Sequence, residues 1–390
     1  MQNPLVEYTS NAFKEEFGSQ PEHIFLSPGR VNIIGEHVDY NDGYVLPASI
    51  DKYICFAVSE NPTSNECIFV AKDLNETFSC SVTEELQPVS EMWANYLLGV
   101  LHQIQQKNVR LHGLKILFSS TIPIGSGLSS SAALECGFAF ILNEIFNIGI
   151  SKKELALIGQ KSEHTFVGVN CGIMDQFASV FGKEDQVMLL DCNTLEHHYF
   201  NAEIKGYQWV LFDSCVKHTH LTSGYNDRRA DMEHAKHVLH QHYPNVNSFR
   251  DVTVDMLDEH RNEIGEIPHK RSNYVVGEIE RVKKTAEAMS QNKPEEVGKF
   301  LYETHQGLSK EYEVSCDEVD FLVEEAMKHS TVQGARLMGG GFGGCSINLI
   351  KDEDAEMVIA TVKERYKDAF GIEMKVYPIK IAHGTKRYEI

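Results

Sequence analysis

Apolar positions along the chain fall into two recurrent patterns. Short runs suited to strands are Ile24-Phe25-Leu26, Val31-Asn32-Ile33-Ile34, Tyr53–Val58 and the cleanly alternating Leu114-Lys115-Ile116-Leu117-Phe118. Between them, Trp93, Leu97, Val100, Leu101 and Ile104 recur at helical spacing, and so do Leu134, Phe138, Ile141, Leu142 and Ile145. Each stripe predicts a helix with one face on a core. Strands over 187–190 and 209–212 follow, then helices over 226–241, 273–289, 294–309 and 317–327. An alternating strand at 345–350, a helix near 353–369 and a last strand near 374–379 close the pattern. Strands and helices mix without strict βαβ alternation, which predicts an α+β fold.

The chain has 390 residues, 42% hydrophobic and 24% charged, enough for a full core and for two lobes with a cleft between them. No repeat or Gly/Ser/Pro-rich linker marks a boundary, and the second half is expected to begin near residue 205. The formal net charge of -20 argues against nucleic acid and anionic membrane as partners. An anionic substrate must then be met locally, by a few Lys or Arg, by backbone N–H groups or by a metal ion. Nine cysteines, an odd number without a CxxC pair, suit a reducing compartment. There is neither a basic segment followed by an apolar core at the start nor an apolar run near the roughly 20 residues of a membrane span, so a cytoplasmic location is expected.

The strongest local signal is Pro123-Ile124-Gly125-Ser126-Gly127-Leu128-Ser129-Ser130-Ser131-Ala132-Ala133, between the 114–118 strand and a helix beginning near Ser131. Glycines let a backbone approach an anion, N–H groups at a helix start point toward it, and serine hydroxyls add donors or a metal ligand. The competing reading is a helix start capped by serine. The loop lacks the Gly-Lys-Ser/Thr ending of a Walker A loop, and no GxGxxG opens a nucleotide-binding βαβ unit around it, so those families drop out.

A second cluster, Gly29-Arg30-Val31-Asn32-Ile33-Ile34-Gly35-Glu36-His37-Val38-Asp39-Tyr40-Asn41-Asp42-Gly43, ends an apolar strand in polar residues. Glu36, His37 and Asp39 suit a polyhydroxylated ligand, since carboxylates accept paired bonds from vicinal hydroxyls. Asn41-Asp42-Gly43 reads as an ordinary turn. The third and fourth pieces are Asn170-Cys171-Gly172-Ile173-Met174-Asp175 and Leu337-Met338-Gly339-Gly340-Gly341-Phe342-Gly343-Gly344. The second of these is expected where backbone turns tightly or meets another group closely.

In this order and wording the four motifs resemble those of galactokinases, relatives of homoserine, mevalonate and phosphomevalonate kinases. The resemblance covers about residues 20–385 and implies two α+β lobes with the active site between them. Residues 1–205 would carry the sugar signature and phosphate loop, and residues 206–390 Tyr225 and the late glycine run. It implies that Gly125, Ser126, Gly127, Leu128, Ser129, Ser130 and Ser131 wrap the ATP phosphates. Ser131 and Glu163 would hold Mg²⁺. Glu36, His37, Val38, Asp39, Gly172, Asp175 and Tyr225 would hold the sugar. Asp175 would be the base and Arg30 the charge stabiliser, roles that suit a reaction asking mainly for alignment and charge neutralisation. The implied reaction is transfer of the γ-phosphoryl group of ATP to the anomeric hydroxyl of galactose, by a chain acting as a monomer. Three departures from the family pattern stand out: Ser27 replaces the usual alanine, Val38 the usual threonine, and Ala230-Asp231-Met232 stands where the family often has a Glu-Cys pair.

Two neighbouring readings stand beside this one. An N-acetylgalactosamine kinase would differ mainly in room beside the sugar C2. A galactose- and ATP-binding regulator without catalysis is disfavoured because Ser130-Ser131-Ala132-Ala133, Arg30 and Asp175 are all present. Mevalonate- or homoserine-type kinases are disfavoured by Glu36-His37-Val38-Asp39. His234, His237, His240 and His242 read as a solvated helix face, since carboxylate or Cys partners at ligand spacing are missing.

Overall fold

A computed structural model describes residues 3–107, 109–123, 125–217 and 221–389. Its strands are β1 (His23–Asn32), β2 (Tyr44–Val45), β3 (Pro47–Asn61), β4 (Glu66–Ala71), β5 (Glu76–Ser81), β6 (Gly113–Ser120), β7 (Gln186–Asp191), β8 (His197–Asn201), β9 (Tyr207–Lys217), β10 (Val332–Leu337), β11 (Gly343–Lys351), β12 (Lys375–Pro378) and β13 (Lys386–Tyr388). Its α-helices are α1 (Pro4–Phe17), α2 (Met92–Gln105), α3 (Ser130–Ile145), α4 (Lys152–Ser162), α5 (Met174–Phe181), α6 (Leu221–His242), α7 (Val254–Glu259), α8 (Arg261–Ile264), α9 (Glu266–Ser290), α10 (Pro294–Gln306), α11 (Asp317–Met327) and α12 (Ala355–Phe370). The α+β class holds. None of these helices is long and apolar enough to cross a membrane.

Among the described residues the strands form three sheets, with strand orders β13-β1-β3-β6-β4-β5, β10-β11-β9-β12 and β2-β7-β8. β1 is one strand where the apolar runs suggested two, because it pairs through the Ser27-Pro28-Gly29 interruption with a register shift between Pro28 and Arg30. That irregularity accommodates Pro28, which has no N–H for a ladder. The 205/206 division does not separate the chain cleanly, since β13 returns to pair with β1. Ser27 takes part in this return: its hydroxyl lies 2.9 Å from that of Thr385 and 3.2 Å from that of Ser179, all three buried. The departure from alanine thus gives a buried polar cluster rather than a change in the site.

α3 is apolar nearly all round, with Ala132, Ala133, Leu134, Cys136, Phe138, Ile141 and Leu142 buried, as befits a helix enclosed by others. It packs on β1, β3, α2, α4 and α5. Full burial of a side chain such as Phe138 contributes about 1.5–3 kcal/mol, and the helix start that carries the phosphate loop is held by several such contacts. α5 packs on β1 and β3, which brings its first turn, with Asp175, beside Arg30.

Candidate active site

Arg30 sits in β1 with 4% of its surface exposed and reaches Asp175 through two parallel hydrogen bonds. Nε donates to Oδ1 at 2.7 Å and Nη2 to Oδ2 at 3.0 Å, the bidentate geometry that guanidinium and carboxylate favour. Nη1 donates to the Gly127 carbonyl at 2.5 Å, so one side chain spans the base candidate and the phosphate loop. Burial works against the Arg30 charge, but the charges of Asp175 and then Glu36 outweigh it and hold the guanidinium protonated beyond its ordinary range. Ser129 also hydrogen-bonds Oδ2 of Asp175. That bond explains a feature of α3: Ser129 occupies the N-cap position but makes no side-chain cap bond. Its hydroxyl goes to Asp175, and its backbone is left-handed, with φ 57°. The first N–H groups of α3 are therefore not capped by serine, contrary to the simple helix-start reading.

Beyond β1 the sugar-signature residues are fixed one by one. Glu36 is buried, and its Oε1 accepts from both Nη atoms of Arg336, at 3.2 and 3.1 Å, and from the Gly339 N–H at 2.8 Å. Arg336, at the end of β10, is completely buried and also donates to the carbonyls of Asn32 and Ile33. From α9, Glu278 accepts the Gly35 N–H at 2.9 Å and Tyr274 donates to the Glu36 carbonyl at 2.9 Å. His37 differs from expectation. Its Nε2 faces the Gly340 carbonyl at 3.2 Å and must donate there, leaving Nδ1 to accept from the Tyr40 hydroxyl at 2.9 Å. Tyr40 in turn lies 2.8 Å from the Tyr312 hydroxyl. Burial, with the Arg228 charge assisting and the Gly340 bond opposing, pushes the imidazole down to about 3, so it is neutral. With both nitrogens committed to the protein, His37 braces the loop instead of offering a free donor.

Asp39 and Gly172 touch. A β-carbon at 172 would lie 1.9 Å from Asp39 Oδ2, so no side chain fits there. Burial, then the Asp175 charge, push the Asp39 carboxyl up to about 7, against a bond from the Tyr40 backbone and the Arg30 charge. The Tyr225 ring lies tilted against His37 and edge-on to Tyr40, with ring centroids 5.4 and 5.1 Å away. Val38 is a correction: its side chain is fully buried in the hydrophobic core and lines no part of the cavity, since an isopropyl group has no bond to make there.

A cavity of about 290 Å³ gathers most of the expected residues: Arg30, Glu36, His37, Asp39, Gly127, Ser129, Ser131, Glu163, Gly172, Asp175 and Tyr225. Tyr96, Val169, Cys171, Met174, Gly339 and Gly340 complete its wall. Gly125, Ser126, Leu128 and Ser130 do not line it. Leu128 points into the core and the Ser126 hydroxyl donates to the Pro123 carbonyl at 2.7 Å. Ile124 of this loop lies outside the described residues. The late glycine run explains itself here: a β-carbon on Gly339 would stand 3.2 Å from the Gly127 carbonyl, and Gly339 has φ 87°. Two backbones meet without side chains between them, joining phosphate loop, Glu36 and His37 in one wall.

Glu163, in the cavity wall, begins a π-helical turn after α4 and is buried. Burial pushes its carboxyl up, while hydrogen bonds from the Cys171 thiol and the Ser131 hydroxyl oppose the shift. Glu135, one turn along α3 from Ser131, is held well above the usual carboxylate range by burial and then by the Glu163 charge. Ser131 and Glu163 both line the cavity, and the Ser131 hydroxyl stands close enough to weigh on the Glu163 carboxyl. A hydroxyl and a carboxylate are the hard oxygen donors that Mg²⁺ takes, and a buried carboxyl with a raised pKa is one that a cation would relieve.

Arg336, Glu278, Tyr274, Tyr40 and Tyr312 were not singled out from the sequence. Two of them had a signal within reach: Tyr40 lies inside the second polar cluster, and Arg336 stands just before the glycine run.

Comparison with known proteins matches residues 11–60 to the galactokinase galactose-binding signature, residues 95–183 to the GHMP kinases N terminal domain and residues 285–368 to the GHMP kinases C terminal. The galactokinase of Thermosipho africanus is 40% identical over 361 residues, covering 93% of this chain and 98% of that protein. The chain belongs to the galactokinase family. The galactokinase of Roseiflexus sp. is 36% identical over 376 residues, 96% of this chain and 95% of that one. The crystal structure of Lactococcus lactis galactokinase complexed with galactose superposes with TM-score 0.92 at 31% identity, over 98% of this chain and all of that one. Methanococcus jannaschii mevalonate kinase, at 18% identity and TM-score 0.64, shares the fold. Family membership makes this galactokinase homologue an ATP-dependent sugar kinase.

Proposed function

We propose that the chain transfers the γ-phosphoryl group of Mg-ATP to the anomeric hydroxyl of D-galactose. The observation that carries this reading is the Arg30–Asp175 pair, which stands between the phosphate loop and the sugar-signature loop and is bonded to residues of the first. Asp175 takes the proton as the O–H bond of the galactose hydroxyl breaks, the oxygen forms its bond to the γ-phosphorus, and the bond to ADP breaks. Each carboxylate oxygen has two lone pairs, and Oδ1 accepts a single bond among those described, so capacity remains for the sugar. Arg30 donates to the charge that spreads over the phosphate oxygens. Ser131 and Glu163 hold Mg²⁺, which when bound neutralises phosphate charge. Glu36, Asp39, Gly172 and Tyr225 hold sugar hydroxyls, while His37 braces Glu36's loop. Gly127, Ser129 and the start of α3 receive the ATP phosphates.

The test is ADP release from Mg-ATP with galactose, N-acetylgalactosamine, glucose, mevalonate and homoserine as acceptors, in wild type and Asp175→Asn. Turnover that depends on galactose and is lost in the variant supports the reading. Preference for N-acetylgalactosamine would reassign the substrate, and galactose binding without ADP release would make the chain a sensor.

A further inference from the structure

Far along the chain from the cavity residues of the first half, α6 ends at His242 and the backbone returns past it through α7 and α8. The four histidines that spacing alone placed on one helix face are separated by the fold. His240 faces the Val246 carbonyl at 2.9 Å and His237 the Gln241 amide at 3.0 Å. His242 instead stacks on His260, with ring centroids 3.8 Å apart and planes 19° from parallel. Both imidazoles present a nitrogen to one carboxylate: His242 Nε2 lies 2.9 Å from Glu263 Oε2, and His260 Nδ1 lies 3.3 Å from Glu263 Oε1. A donor atom from each of the three residues falls within 4.8 Å of the others. Tyr243 packs edge-on against His260 at 5.5 Å and donates from its hydroxyl to Glu259 at 2.6 Å, which limits rotation of that ring.

The nitrogen of a neutral imidazole offers a lone pair, which makes it a metal ligand. Two imidazole nitrogens and a carboxylate oxygen form a three-residue donor set that zinc takes, with water as the fourth ligand. Bonds of about 2.0–2.2 Å in tetrahedral geometry place donors roughly 3.4 Å apart. His242 and His260 approach different oxygens of Glu263, so closing on one ion takes a rotation of that carboxylate, whose side chain is 54% exposed, and a turn of the exposed His242 ring out of its stack on His260. We propose that His242, His260 and Glu263 form a binding site for a borderline divalent metal of the zinc class, clasping the end of α6 to the α7–α8 segment. Mg²⁺, a hard ion that prefers oxygen, does not compete for it.

The experiment is calorimetric titration of chelator-treated full-length protein with Zn²⁺ in excess Mg²⁺, on wild type, His260→Ala, Glu263→Gln and the control His237→Ala. The expected result is one Zn²⁺ per wild-type and His237→Ala chain, lost in His260→Ala and Glu263→Gln with sugar-kinase turnover unchanged. Co²⁺ in place of Zn²⁺ should give visible absorption bands of a four-coordinate site in wild type and His237→Ala, and in neither His260→Ala nor Glu263→Gln. Retention of the bound ion in either ligand variant, or no binding by wild type, overturns the proposal. Glu263→Gln preserves shape, so its result stands even if His260→Ala disturbs the fold.

Discussion

Arg30 grips Asp175 through two parallel hydrogen bonds, Nε to Oδ1 and Nη2 to Oδ2, while its third nitrogen holds the Gly127 carbonyl. The base candidate and the phosphate loop thus share one buried cation. Asp175→Asn keeps the shape of the side chain and removes its capacity to accept a proton. Turnover is expected to fall by about 10²–10⁴-fold, with nucleotide affinity retained. Steady-state kinetics together with nucleotide titration check this, and near-normal turnover would remove Asp175 from the base role.

Glu163 and Ser131 both line the cavity, and Glu163 is buried. Glu163→Gln should raise the Mg²⁺ concentration needed for half-maximal rate by about tenfold or more, since even outer-shell partners of a metal are worth that much. An unchanged Mg²⁺ dependence would place the ion elsewhere.

Arg336→Leu leaves the Glu36 carboxylate buried without its partner. Breaking a buried pair costs about 3–5 kcal/mol, and urea unfolding should show a loss of that order. The galactose KM should rise as well, because the same guanidinium fixes the carbonyls of Asn32 and Ile33. A stability within the error of wild type would mean that the pair is not closed in solution.

Gly172→Ala forces Asp39 to move, because the added carbon would overlap its carboxylate. A displacement near 1 Å at a positioning group costs about 10²-fold in kcat/KM. That loss is expected for galactose, with the ATP KM unaffected. Equal losses for both substrates would point to general misfolding.

The Asp39 carboxyl, ordinarily near 3.8, stands at about 7 in the fold. Between those values the folded chain keeps a proton that the unfolded chain releases, so this contribution to stability is complete below about pH 4 and is lost as pH rises toward about 7. His37 has the opposite sign: its folded value of about 3 lies below 6.5, and its contribution is lost as pH falls through that window. Asp39→Asn removes only the first. Its melting temperature should therefore gain on that of wild type as pH rises from about 4 to about 7, and parallel profiles would deny the shift.

Local signals carried much of this. α11 was legible to the residue, because an acidic start and an apolar stripe bound it on both sides. β1 was read as two pieces because Pro28 and Gly29 break its apolar run, although ladders to β13 and β3 override that punctuation. β10 and β13 were not singled out, being short and flanked by stronger signals. In the site, Arg30, Asp175, Ser131 and Glu163 fell together as expected. Val38 did not, since its position beside polar neighbours says nothing about which way it faces. Arg336 escaped because an arginine gains meaning only from what is folded over it, and Asn32 and Glu36 lie some 300 residues away in sequence. His242 escaped for the same reason: its partners His260 and Glu263 come from another segment.

The hydroxyls of Ser27 and Thr385 meet although 358 residues separate them. On a ribosome adding about 5–20 residues per second, β1 waits on the order of tens of seconds before β13 exists to cover its edge. Throughout that interval the first sheet offers an open hydrogen-bonding rim to any other nascent chain. Premature termination shortly before residue 386 would make that exposure permanent, leaving a polypeptide with every active-site residue present yet prone to edge-to-edge association.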